Sequence, residues 1–248
     1  MAPKPQPSPA PSLLSEAAID ALFARLSAGN PNPQTELQFT NAFTLLVAVV
    51  LSAQATDAGV NKATRGLFAV ADTPAAMVNL GLDAITRHIR TIGLFNTKAK
   101  NVLALSEILL SDHGGQVPRD RSSLEALPGV GRKTANVVLN VAFGEPTIAV
   151  DTHIFRVSNR TGLAPGKTVD HVEAGLMAVV PEVWRQHAHH WLILHGRYVC
   201  KARAPVCGDC MIADLCLWPD KPGADAGGGA QTPAPKPRRE KRAGRTPR

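Results

Sequence analysis

Phe43, Leu46, Val47, Val50 and Leu51 fall at positions i, i+3, i+4, i+7 and i+8, one apolar stripe of an amphipathic helix. The spacing returns at Val102, Leu105, Ile108 and Leu109, and again at Ala135, Val138, Leu139 and Ala142. Gly144 follows that last set as a C-terminal cap. Residues 13–28, 57–71, 169–180 and 184–203 carry the same helical period. No run alternates with period two, which argues against a sheet. Turn chemistry marks the breaks at Asn30-Pro-Asn-Pro, Gly114-Gly115, Pro128-Gly-Val-Gly, Gly144-Glu-Pro and Ala164-Pro-Gly. The pattern predicts an all-α protein of about ten helices.

Charge then separates the middle of the chain from its ends. Of 27 Lys and Arg, eight lie in residues 221–248, against two Asp and Glu, and Lys4 adds one more. Residues 5–220 therefore hold 18 basic and 18 acidic side chains, and the net charge of +7 belongs to the ends. Residues 1–12 are Pro-rich and 221–248 are Pro-, Gly- and Arg-rich, without aromatic residues. Such compositions bury too little apolar surface to offset ordering entropy, so both are expected to be disordered tails. The longest largely apolar stretch, Phe43 to Ala53, has 11 residues, against roughly 20 for a membrane span. Prolines occupy the place of a signal peptide's apolar core, so a cytoplasmic location is expected.

Leu127-Pro128-Gly129-Val130-Gly131-Arg132-Lys133-Thr134-Ala135 is a glycine-punctuated turn running into a helix. Its glycines allow positive φ and close backbone approach, and amides at a helix N-terminus form a seat for a phosphate oxygen. Arg132, Lys133 and Thr134 sit on the helix's first turn, where cations oppose the helix dipole and structure alone does not favour them. A lysine between Arg132 and that positive helix end has its ammonium form disfavoured, as a Schiff-base nucleophile requires. A solvated lysine on a phosphate is the plainer alternative. Asp151 opens Val150-Asp151-Thr152-His153 after an apolar run. It reads as a helix N-cap that can also stabilise positive charge at a reaction centre.

The only four cysteines, Cys200, Cys207, Cys210 and Cys216, lie within 17 residues. This clustering suggests a metal-type site in a reducing compartment. Structural zinc sites favour two tight Cys pairs, and only Cys207 and Cys210 make one. A [4Fe–4S] cluster fits one compact four-thiolate loop better, although the spacing matches neither common ferredoxin pattern. Zinc, and more remotely a redox disulfide, remain open. Lys201 and Arg203 project from the loop between the first two cysteines and can meet phosphates. His187, His189, His190 and His195 lie among apolar residues without a carboxylate at ligand spacing, and read as packing and surface residues.

Taken together, Leu51-Ser-Ala-Gln-Ala-Thr-Asp57, Thr91-Ile-Gly-Leu-Phe-Asn96, Leu127-Pro-Gly-Val-Gly-Arg-Lys-Thr-Ala-Asn136, Val150-Asp-Thr-His153 and the cysteine loop resemble the endonuclease III DNA glycosylases. That family belongs to the helix–hairpin–helix glycosylase superfamily, and the resemblance runs from about Ala21 to Trp218. It implies two helical domains with a DNA-binding cleft between them. The expected division is a six-helix domain over 35–145 and a discontinuous cluster domain over 13–34 and 146–220. It also implies excision of oxidised pyrimidines from duplex DNA, then β-elimination at the abasic site. Lys133 takes the nucleophile position and Asp151 the catalytic carboxylate position. Gln54 and Leu94 match the residues that fill the gap left by an extruded nucleotide. Gly129, Val130, Gly131, Arg132, Thr134, His153, Lys201 and Arg203 fall at DNA-contacting positions, with the amides of Val130 and Gly131 on a phosphate. The resemblance implies that the four cysteines hold a [4Fe–4S] cluster, and a monomer working on the nucleoid is expected. An adenine-mismatch glycosylase of the same superfamily would lack Lys133 and carry glutamate where Val49 stands. A non-catalytic helix–hairpin–helix binding protein would not explain Lys133, Asp151 and Gln54 together.

Overall fold

The computed structural model describes residues 12–222, and every regular element among them is helical. In order they are α1 (Glu16–Gly29), α2 (Ala42–Ser52), α3 (Asp57–Phe68), α4 (Pro74–Leu80), α5 (Leu82–Ile89) and α6 (Phe95–Asp112). They continue with α7 (Arg121–Glu125), α8 (Arg132–Phe143), α9 (Thr152–Thr161), α10 (Val169–Val179) and α11 (Glu182–Tyr198). No helix is long and apolar enough to cross a membrane among the described residues.

Capping chemistry places most of the starts. Ser15, Thr56, Thr73, Asp120 and Thr168 each accept a first-turn amide with a side-chain oxygen. Asn41 and Thr44 form a reciprocal capping box on α2. The sequence pattern understates α2. Every residue from Phe43 to Leu51 is buried, so it is a central helix apolar on all faces rather than an amphipathic one. The last helix is shorter than its period suggests. It stops at Tyr198, and the carbonyl of His195 accepts both the Val199 and the Cys200 amides as the chain turns away.

Two apolar clusters form. One gathers α2 to α8 around α2, from Leu37 to Ala149. The other joins Leu14–Leu26 of the N-terminal segment to residues of α9, α10 and α11 and to Ile212 beyond them. The chain thus leaves the second cluster after α1 and returns after α8, because α1 packs on α11. The segment between α1 and α2 and the α8–α9 connection are the two crossings. Both expected tails lie mostly outside the described residues, but their inner ends are anchored. The Ser12 hydroxyl donates to the Gly162 carbonyl at 3.3 Å, and Lys221 Nζ donates to the carbonyls of Ala213 and Cys216 at 2.8 Å.

Candidate active site

The α8 and α9 N-termini, the α2–α3 turn and one face of α11 converge on a cleft of 480 Å³ where the two cores meet. Lys133, Asp151, Gln54 and His153, distant in sequence, all line it. Among the remaining candidates, Leu94, the hairpin glycines, Thr134, Lys201 and Arg203 lie outside its lining.

Lys133 stands on the first turn of α8, with surface open to the cleft but protein on the surrounding sides. Withdrawal from bulk water is the largest influence on its amine and pushes the pKa down. Arg197 acts in the same direction, while Asp151 and Asp57 oppose it. The neighbouring Arg132, expected to do this work, does not. Its guanidinium turns away and pairs with Glu173 of α10, with Nη2 at 2.8 Å and Nε at 3.0 Å from the carboxylate. Glu173 is 6% exposed, so the cation on the first turn of α8 is explained by a carboxylate that needs a partner. That pairing gives the Arg132 guanidinium a partner within the protein.

Asp151 caps α9, and its Oδ1 accepts the amides of His153 at 2.8 Å and Ile154 at 2.9 Å. Oδ2 accepts no hydrogen bond among the described residues, and the residue lines the cleft. Capping and an available carboxylate oxygen coexist. Behind it, α9 and α11 approach closely at Gly196, where a Cβ would stand 2.8 Å from that of His153. Arg156 pins this joint by donating to the carbonyls of Gly196 at 2.8 Å and Cys200 at 2.9 Å, with His153 Nδ1 at 3.2 Å.

In the hairpin only Gly129 has positive φ, at 78°, and a Cβ there would fall 2.7 Å from Asn101 Nδ2. Gly131 is extended, and a Cβ on it would meet nothing within 4 Å. The Val130 amide donates to the Leu127 carbonyl at 3.1 Å, so it is committed to the turn rather than open to a phosphate. The amides left for an anion are those of Gly131 and the first turn of α8. Gln54 and Leu94 share a rarer feature. Their φ values are 55° and 58°, and the third non-glycine residue with positive φ among the described residues is Ala204. Leu94 is also 62% exposed. Leu94 thus caps the N-terminus of α6 in the left-handed region with most of its side chain in solvent.

Cys200, Cys207, Cys210 and Cys216 surround one small cavity walled by Val199, Val206, Ile212 and Trp218. Burial, with the neighbouring cysteines adding to it, pushes the Cys210 thiol up to about 11. Among the described residues no group of three His, Cys, Asp or Glu side chains converges as a single metal ion would require. Arg160 donates to the carbonyls of Lys201 at 2.8 Å and Ala202 at 3.2 Å, shaping the loop that displays Lys201 and Arg203, both exposed.

The histidines exceed the packing role expected of them. His189 and His190 are buried, yet both line the cleft. Burial depresses both, His189 well below the usual imidazole range and His190 to about 4, so neutral imidazoles form part of the wall. Glu36, Asp57 and Arg197 also line the cleft. Asp57 closes one of the motifs that carry the family resemblance, whereas Glu36 and Arg197 have no motif signal and are singled out only by their contacts.

Three comparisons bear on this geometry. The family model of the HhH-GPD superfamily base excision DNA repair proteins matches residues 47–182. The chain is 61% identical over 200 residues to endonuclease III of Escherichia coli K12, covering 81% of this chain and 95% of that protein. It superposes on a trapped endonuclease III–DNA covalent intermediate with a TM-score of 0.77 and 46% identity, covering 83% of this chain and 97% of that one.

Proposed function

This chain belongs to the HhH-GPD superfamily of base excision DNA repair proteins and, within it, to the endonuclease III family, and we propose that its cleft carries out that family's chemistry with Lys133 as nucleophile. It is a DNA glycosylase with abasic-site lyase activity, and its substrates are duplexes carrying oxidised pyrimidines or abasic sites. The observation that carries the assignment is that Lys133 and Asp151, 18 residues apart, share one cleft between two helical cores.

A base inside the stack hides its sugar, so the nucleotide is extruded into the cleft at a cost of a few kcal/mol, least for a damaged base. Leu94 and Gln54, held out by left-handed backbone, take the vacated space. Gly131 and the first amides of α8 hold a phosphate, Gly129 permits the tight turn, and Thr134 and His153 flank the strand. Lys201 and Arg203 meet phosphates further along the duplex. The neutral Lys133 amine attacks C1′ while the bond from C1′ to the base breaks and its electron pair leaves with the base. Asp151 stabilises the positive charge that develops on the sugar. Loss of an amine proton and ring opening give the Schiff base, which acidifies the C2′ proton. Its removal expels the 3′ phosphate. Neutral His189 and His190 offer hydrogen bonds to the extruded base without a competing charge.

The four thiols suit a [4Fe–4S] cluster, since the donor set is all sulfur and the cavity wall is largely apolar. When bound, the cluster ties Cys200, Cys207, Cys210 and Cys216 together and stiffens the Lys201–Arg203 loop. The residues of the reaction come from one chain, so a monomer working on the chromosome in the cytoplasm suffices.

The test is borohydride trapping on duplexes bearing thymine glycol or an abasic site. Wild-type protein forms a covalent adduct and nicks the strand. Lys133→Ala forms no adduct while its DNA affinity stays within about tenfold, because affinity rests mainly on phosphate contacts. A protein that shifts the DNA yet never nicks it is a binding module, and the proposal fails.

A further inference from the structure

Beside Lys133 an ion-pair network crosses from one helical core to the other. Arg197, at the last turn of α11, donates through Nη1 to Asp57 Oδ2 at 2.5 Å and to Glu36. Tyr198 donates its phenolic hydrogen to the other oxygen of Glu36. Asp57 is the first residue of α3, within the α2–α8 core, and Glu36 lies on the crossing between α1 and α2. Arg197 belongs to α11, on the opposite wall. All three line the cleft that holds Lys133 and Asp151. No carboxylate among the described residues lies within ion-pair distance of the Lys133 amine, although Asp57 shares its cavity.

We infer that Arg197 is a positioning residue: by holding the carboxylates of Asp57 and Glu36 against α11 across the cleft, it keeps Asp57 from pairing with the Lys133 amine. A lysine paired with a carboxylate stays protonated and cannot attack C1′. An unclaimed carboxylate in the same cavity would find the nearest cation, and Arg197 removes that option while adding a like charge beside the lysine. The titratable groups that share the cleft with Lys133 are Asp151 and His153 from α9, Asp57 from α3, Arg197, His189 and His190 from α11, and Glu36 from the crossing segment. Among these, Asp57 and Asp151 favour the ammonium and Arg197 opposes it. Asp151 is fixed in place by the α9 cap whatever Arg197 does, which leaves Asp57 as the carboxylate whose position Arg197 decides.

The inference rests on the lyase reading of Lys133, and one experiment separates the two. The rate of cyanoborohydride trapping on an abasic-site duplex is measured against pH, single-turnover, for the holoenzyme and its variants. Arg197→Gln moves the rising limb to higher pH, so that trapping below the midpoint falls about tenfold for each unit of displacement, while the plateau at high pH stays within about twofold. Arg197→Lys, which keeps a cation, recovers most of the displacement. Asp57→Asn added to Arg197→Gln returns the limb to its wild-type position. Asp57→Asn alone, the safeguard should Arg197→Gln not fold, moves the limb to lower pH. If wild-type protein traps but the limb stays fixed in the folded variants, or the displacement survives in the double variant, the positioning role is wrong. If wild-type protein does not trap at all, the lyase reading falls and this inference falls with it.

Discussion

At the scale of the residue, single side chains here serve folding and chemistry at once, and substitutions can separate the two. Asp151 caps α9 with Oδ1 while lining the cleft. Asp151→Asn keeps a capping oxygen, so the unfolding midpoint should move little while base removal slows by about 10² through loss of charge stabilisation. A variant that loses thermal stability yet excises at wild-type rate would show that the carboxylate is only a cap. Leu94 presents the opposite balance, since its left-handed backbone costs about 1 kcal/mol and the mostly exposed side chain returns little burial. Leu94→Gly should unfold no more readily than wild type but excise about tenfold more slowly, as the extruded nucleotide loses its wedge. Unchanged excision in a single-turnover assay would remove Leu94 from the mechanism.

Among elements, the contacts that matter run between helices far apart in sequence. The Arg132–Glu173 pair ties α8 to α10 with three short N–O contacts, and Glu173 is the buried member. Breaking such a pair strands a carboxylate in a poorly solvated site. Arg132→Ala should therefore cost about 2 kcal/mol, a value reduced because the guanidinium is partly exposed. DNA affinity and its salt dependence should stay near wild type. A variant of normal stability with a flatter salt slope would return Arg132 to the phosphate contacts. The reach of sequence reasoning is visible at this scale. The longer helices and the caps at Gly144 and Asp151 were legible because periodicity and capping act over a few residues, whereas α4, α5 and α7 are too short to show a period. The partner of Arg132 was not, because nothing local distinguishes a cation awaiting a phosphate from one awaiting a glutamate 41 positions away. The completely buried character of α2 was likewise hidden. A stripe shows which face must be covered, and the other faces depend on which helices surround it.

For the whole molecule, the meeting of two cores produces a site neither holds alone, with buried neutral histidines in its wall. His190 titrates near 4 when folded and near 6.5 when unfolded. Its folded value is depressed, so its contribution to stability is complete above pH 6.5 and is lost as pH falls toward 4. Urea unfolding of the holoprotein should show a loss of about 1 kcal/mol from this histidine between pH 7.5 and 5.5, and His190→Asn should flatten the slope by that amount. An identical slope in the variant would mean that His190 is already protonated in the folded state. What the chain determined by itself was the local grammar. Apolar period, caps, the glycine hairpin and four closely spaced cysteines are each written within a few residues, and their joint presence marks the family. Tertiary structure decided which charges meet. It turned Arg132 from the cleft, committed the Val130 amide to the turn, brought His189 and His190 to the pocket wall, and set Arg197 between Glu36 and Asp57. Burial and ion pairing depend on distances through space, and Arg197 reaches its two carboxylates across 161 and 140 residues of sequence, a separation no local pattern encodes.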